Sequence, residues 1–586
     1  MRRRGFLGWL TVLAATAVFG AKRALAAALQ RPQPGQPGWP SEAEWEGLKQ
    51  TLGGRLDKVE VPKLDHAEAE TLLHNPFYLR DTPAFTGSSG WLDAWKWAPS
   101  AYVVKATSAA DVAAAVKFAA AHRLRVVVKG GGHSYQGGSS GPDSLLIWTR
   151  HLDDIALHDA FVPQGCDAKP VPAVSVGAGC VWAEAYNAVS VKGGRYVQGG
   201  GCTSVGVAGL VLGGGFGSFS KGFGLAAASL LEAEIVTADS EARIVNACRE
   251  PDLFWALKGA GQCAFGVVTR LTLATHELPA TVGGVNWTVA ANSDAAYRRL
   301  LRRFLEFYGQ HLMNPHWGEQ AHAASSNSLN IGMAFQGLTP EEATEAWKPL
   351  TDEVAAQPAD YKIIEAFSAR AAPGRIYWNG QALDKFAPGV VKFDDRPGAS
   401  PDDFWYPGDG QQASIFWHGY QSAWLPAALL QGEGLDRLAD AWFEASRHWS
   451  VDFHFNKGLA GAPPEAVAAA REAAINPQAA DAFALAIIAM AGGSLYPELA
   501  RPDLAVARDH AQKIEAAMTA LRQAAPDAGC YISESDYFLK DWGRAQWGGN
   551  LPRLEAIKRR YDPDGLFIMH HGVGGEEPGE ARFEPA

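Results

Sequence analysis

Cysteine is scarce in this chain, six in 586 residues, and none stands in a CxxC pair or another zinc-ligand spacing, which argues against a metal site. Positive charge is short as well. With 52 Lys and Arg against 63 Asp and Glu, the formal net charge is −11, and a nucleic-acid or anionic-membrane surface would need a basic patch. No GxxxxGK[ST] occurs, so a P-loop is excluded. No glycine loop meets the Rossmann GxGxxG spacing either: "GGGFGS" puts Ser218 where the third glycine would stand. There is no internal repeat. The apolar run Phe6 to Ala21 is too short for a comfortable membrane span.

What is present is a globular composition, 47% hydrophobic, on a chain long enough for two or three domains. Arg2 to Arg4, the apolar run and Ala24-Leu25-Ala26 compose a leader with a basic head and a small-residue cleavage site. Its "RRGFL" resembles the twin-arginine export signal, a route that carries folded, cofactor-loaded enzymes. An exported chain admits one disulfide, with Cys166 and Cys180 the nearest candidates. A Pro/Gly/Gln linker, "QRPQPGQPGWP", follows the leader.

From about residue 100 the pattern reads strand, helix, strand, glycine loop, with Ser108 as N-cap, Val112, Val116 and Ala119 on one helical face, and a strand over Leu124 to Val128. That strand runs into "KGGGHSYQGG". A second block, "GGGCTSVGVAGLVLGGGFGSFSKGFGL", is too glycine-dense for helix interior, where each glycine costs about 1 kcal/mol relative to alanine. "LLEAEIVTA" and "ARIVNA" pair as a hairpin on Asp239-Ser240, and "DLFWALKGAGQCAFGVVT" adds a third glycine loop. Three such loops suit a large phosphate-bearing ligand cradled by bare backbone N–H groups, a dinucleotide on a non-Rossmann fold. After about residue 278 the glycines thin and amphipathic helices alternate with strands, which marks a second domain; Thr339 with Glu342 forms a capping box there.

With "WGGNLPRLEAIKRRYDPDGLF" near the C-terminus, these blocks in this order resemble the berberine-bridge-enzyme-like flavoproteins of the vanillyl-alcohol-oxidase superfamily. The resemblance implies an α+β fold: a split PCMH-type FAD-binding domain of two α/β subdomains, and a substrate domain with an antiparallel sheet and covering helices. The expected division is leader 1–28, linker and lead-in 29–95, FAD-binding domain 96–277, substrate domain 278–510, and a segment 511–586 returning to the FAD domain. It implies FAD tethered twice, through His133 at the 8α-methyl carbon and Cys202 at ring carbon 6. Gly130, Gly131, Gly132, Ser134, Gly137, Gly201, Val205, Gly206, Gly209, Gly214, Gly266 and Val268 join those two in the cofactor-binding set.

Oxidation of an alcohol needs a base near the acidic proton. In "YISESDY", a strand in the resembling family, Glu534 takes the catalytic place with Tyr531 and Asp536 beside it, and Tyr135 is a second candidate that would orient a substrate hydroxyl. Three departures stand out. Leu210 replaces a histidine, Gln262-Cys263-Ala264 interrupt a glycine run, and "LAIIAMAGGS" lacks the carboxylate of berberine-type ring closure. Gly200 and Val205 flank Cys202 in an oxygen-permitting arrangement. The expectation is an exported FAD-linked oxidase making hydrogen peroxide from an alcohol, sugar or phenolic alcohol, with no metal, no nucleic-acid partner and no stable membrane insertion. Its alternatives are a dehydrogenase feeding a quinone or cytochrome, and a flavin-holding protein without turnover.

Overall fold

The computed structural model describes residues 31–575, so the leader lies outside the described residues. Three sheets organise the chain. The first has four strands in the order Leu56–Lys58, Tyr102–Lys105, Ser144–Trp148 and Arg125–Lys129. The last three run parallel, which demands crossovers, and the helix Ala109–Ala121 supplies one. Ser108 caps it by accepting the Asp111 N–H at 3.2 Å, and Val112, Val116 and Ala119 are fully buried, as the sequence pattern requires.

The second sheet is antiparallel, in the order Ala242–Asn246, Leu230–Thr237, Gly266–Ala274, Val171–Gly177 and Ile155–Phe161. Its first pair is the predicted hairpin, turning through Ser240 in the left-handed region (φ 64°). The third sheet has nine strands, from Tyr361–Pro373 at one edge to Ser88–Trp91 and Trp95–Lys96 at the other. The helices Asp294–Phe307, Gly432–His448 and Leu504–Leu521 cover it, and Leu301, Phe304, Trp442 and Met518 share one core with the strand residues Trp287 and Phe453. The α+β class with a helix-covered sheet domain is what the chain adopts.

Three details differ from the sequence reading. The lead-in is structural: Leu56–Lys58 edges the first sheet, and Ser88–Trp91 pairs in parallel with Ile415–Pro426 of the third. The disulfide joins Cys166 to Cys248, with Cα atoms 5.5 Å apart, and leaves Cys180 free. Asn246 explains the pairing, because its side chain donates to the Gln164 carbonyl (3.0 Å) and accepts the Cys248 N–H (2.9 Å), drawing both loops together, whereas Cys180 is locked in the core. Finally, "YISESDY" is not a strand; Ile532–Glu534 form a single 3₁₀ turn.

Candidate active site

The three sheets meet around one cavity of about 590 Å³, within the range of small-molecule and cofactor pockets. The strand Arg125–Lys129 delivers Gly130, Gly131 and Gly132 to its wall. A Cβ on Gly131 would stand 2.6 Å from the Gly206 nitrogen and 2.9 Å from the Ser204 carbonyl oxygen, so the first two glycine loops touch backbone to backbone. Glycine is required there by closeness alone.

His133 and Ser134 line the cavity next, with Gly201, Cys202, Val205, Gly206, Gly209, Gly266 and Val268 from the other loops. Gly137 and Gly214 stand outside the lining; a Cβ on Gly137 would press on the Trp95 ring at 3.0 Å, and one on Gly214 on Ile475 at 2.9 Å. The His133 Nε2 lies 3.1 Å from Ser204 Oγ. Burial, with Lys129 adding to it, pulls the His133 imidazole down to about 4, so the ring is neutral at ordinary pH and carries a nucleophilic lone pair.

In the same cavity, Glu534 forms an ion pair with Lys457, whose Nζ lies 2.5 and 2.7 Å from the two carboxylate oxygens. Both side chains are well shielded, at 13% and 14% exposure, where a charge-assisted pair is strong. The turn that carries Glu534 is fixed through its backbone: its N–H donates to Tyr531 O (3.0 Å) and its carbonyl accepts Ser422 Oγ (2.5 Å). Tyr135 lines the same wall, its hydroxyl donating to Gln412 Oε1 at 3.1 Å with its ring 5.4 Å from that of Tyr420. Burial first, then the charge of Glu534, pushes the Tyr135 and Tyr531 phenols up, so both are neutral donors. Asp536 lies outside the lining, its carboxyl raised to about 6 by burial.

The sequence reading missed Lys457, Glu319, Asp409, Gln412 and His571, all of which line the cavity. Glu319 takes a left-handed backbone (φ 63°) in a strand, and burial raises its carboxyl. The first four stand outside the three glycine blocks, and His571, in the glycine-rich tail "MHHGVGG", offered a visible cue through its paired histidines.

The donor set fits FAD. Bare glycine backbone faces the cavity, and several of its buried polar atoms have no partner among the described residues: both ring nitrogens of His571, Asp409 Oδ2 and Asn456 Oδ1. Such atoms are rare unless a ligand satisfies them.

Comparison with known proteins agrees. Residues 99–246 match the family "FAD binding domain", and residues 530–574 match "Berberine and berberine like". The FAD-linked oxidoreductase ffsJ of Aspergillus flavipes is 30% identical over 491 residues, covering 82% of this chain and 76% of the relative. The VAO-type flavoprotein MtVAO615 of Myceliophthora thermophila superposes with a TM-score of 0.74 at 23% identity, over 93% of this chain and 97% of that one. The glucooligosaccharide oxidase of Acremonium strictum, which carries 6-S-cysteinyl, 8α-N1-histidyl FAD, superposes with a TM-score of 0.64 at 19% identity, over 91% and 99%. On sequence and domains together, the chain belongs to the berberine-bridge-like FAD-linked oxidoreductases, and its fold is that of a VAO-type flavoprotein.

Proposed function

We propose that this enzyme is an oxidase that removes the elements of hydrogen from a carbon bearing a hydroxyl, on an alcohol, sugar or phenolic alcohol, with dioxygen reduced to hydrogen peroxide. The observation that carries the reading is the Glu534 carboxylate, held by Lys457 in the cavity that the glycine loops also line. FAD, when bound, supplies the two-electron acceptor. Glu534 accepts the substrate hydroxyl proton. Tyr135, kept protonated by burial, turns its one hydroxyl proton from Gln412 Oε1 to the substrate oxygen and so orients it. Lys457 anchors the carboxylate against rotation. His133 and Cys202 serve as the two tethers. Because Ser204 engages His133 Nε2, Nδ1 is the ring nitrogen left for the bond.

Gly200 and Val205, small residues of the lining close to Cys202 in sequence, support dioxygen over a quinone or cytochrome as acceptor. The leader supports export, which N-terminal sequencing of the mature protein from its host tests. Glu534→Gln tests the chemistry. The variant is expected to keep bound yellow flavin and to lose flavin reduction by roughly 10²-fold or more in stopped-flow with a reducing substrate. Unchanged reduction kinetics remove Glu534 from the role.

A further inference from the structure

Cys202 lies partly buried in the cavity wall, and the segment after Phe404 crosses over it. Thr203 Oγ1 donates to the Phe404 carbonyl, which pins that segment beside the cysteine. Two further bonds fold it back on itself, Asp409 N–H to Tyr406 O at 2.9 Å and Gln412 N–H to Asp409 O at 3.1 Å. The result sets Asp409 in the cavity lining beside Cys202, near enough for the two side chains to shift each other's acidity. Asp409 Oδ2 is shut from solvent without a partner among the described residues. No ion pair to Asp409 occurs among them, and Lys457 in the same cavity has its short contacts on Glu534. A buried carboxyl that lacks a cation and stands near a thiol is a costly arrangement. It suits a proton acceptor.

Burial and the Asp409 charge push the Cys202 thiol well up, so it does not ionise unaided, and only the thiolate is nucleophilic. Burial also lifts the Asp409 carboxyl, to about 6, which makes it a stronger base than an ordinary aspartate. We propose that Asp409 accepts the Cys202 proton as the cysteine bonds to the flavin ring, so that this aspartate builds the second tether. The inference rests on reading Cys202 as a tether. In the attachment the Cys202 S–H bond and the C–H bond at ring carbon 6 break, and one C–S bond forms. The thiol proton passes through Asp409 to solvent. Two electrons and two protons in all reach dioxygen, which leaves as hydrogen peroxide. Once protonated, Asp409 returns a hydrogen bond to the sulfur and offsets its charge while the bond forms.

The test follows attachment rather than turnover, using the full chain expressed with flavin. His133→Ala leaves only the cysteinyl tether, and its flavin is expected to survive acid precipitation. In His133→Ala/Asp409→Asn the native protein is expected to be yellow, but at least tenfold less flavin stays with the pellet, and the intact mass falls to that of the apoprotein. A pellet as yellow as that of His133→Ala overturns the role of Asp409 and leaves the Cys202 tether standing. Loss of all flavin by His133→Ala itself overturns the Cys202 tether, and this inference with it. Asp409→Asn with His133 intact guards against misfolding: peptide mapping is expected to find flavin on the His133 peptide and an alkylatable Cys202. Flavin bridging both peptides in that variant again overturns the proposal.

Discussion

Three buried lysines illustrate how single side chains stitch this molecule. Lys129 Nζ donates to the carbonyls of Leu79, Thr82 and Phe85, each at 2.7 Å. Lys221 does the same to Gly458, Ala460 and Phe483, and Lys558 to Ala264, Phe567 and the Asp562 carboxylate. An ammonium has three donors, so each is saturated and joins segments far apart in sequence. Lys129→Met strips three carbonyls at once and is expected to cost about 3 kcal/mol in urea-induced unfolding, since each buried acceptor left unmade is expensive. Beside it, Gly132 combines a left-handed backbone (φ 81°) with a Cβ position only 2.9 Å from the Lys129 Cε. Gly131→Ala forces apart the two loops that touch there, and is expected to yield protein with strongly reduced flavin content at 450 nm. Wild-type flavin content in that variant contradicts the close approach.

At the scale of elements, a network of charges holds the segment that carries Asp409 and Gln412. Arg80 and Asp81 come from the helix Pro76–Asp81, Arg150 from the turn Thr149–His151, Glu184 from the helix Trp182–Tyr186, and Asp394, Arg396 and Asp403 from the segment itself. Arg80 lies 3.0 Å from Asp403 and 2.7 Å from Asp81, while Arg150 and Arg396 approach Asp81 at 3.1 and 2.9 Å. Burial opposes ionisation of Asp81, yet Arg80, Arg396 and Arg150 together hold its carboxyl well below the usual range. A depressed carboxyl adds stability above its unfolded value, near 3.8, and that stability is lost as pH falls through the folded value. The thermal midpoint of the wild type is therefore expected to drop below about pH 4. Asp81→Asn is less stable at neutral pH, by about 3 kcal/mol because three guanidiniums lose an acceptor, and its midpoint falls less on acidification. Parallel pH profiles for the two proteins contradict this account.

Among the described residues the three larger sheets close around the cavity, and the Cys166–Cys248 bridge lies apart from it, outside the lining. It closes a loop of 82 residues, for which the entropy of the unfolded chain gives about 4 kcal/mol. Cys166→Ser/Cys248→Ser is expected to unfold at lower denaturant while its flavin spectrum stays unchanged. A shifted spectrum would mean that the bridge shapes the cavity.

Much of the FAD side was legible, because local chemistry writes it into contiguous residues. A β-branched strand ending in glycines, a histidine after the third glycine, and an N-cap serine ahead of an alanine-rich helix all act within a few positions. The substrate side was legible only at Tyr135, Tyr531 and Glu534. Lys457, Glu319 and Asp409 come from three separate stretches whose neighbours carry no motif, and each becomes notable only through the partner it meets.

The sequence by itself determined the glycine loops, the helix caps, the hairpin and the family, since these depend on backbone preference and short spacing. The tertiary structure alone decided that Cys166 pairs with Cys248, that Lys457 clasps Glu534, and that Asp409 joins Cys202 in one cavity lining. Those are side chains 77 to 207 positions apart, and only long-range packing brings such charges and thiols together.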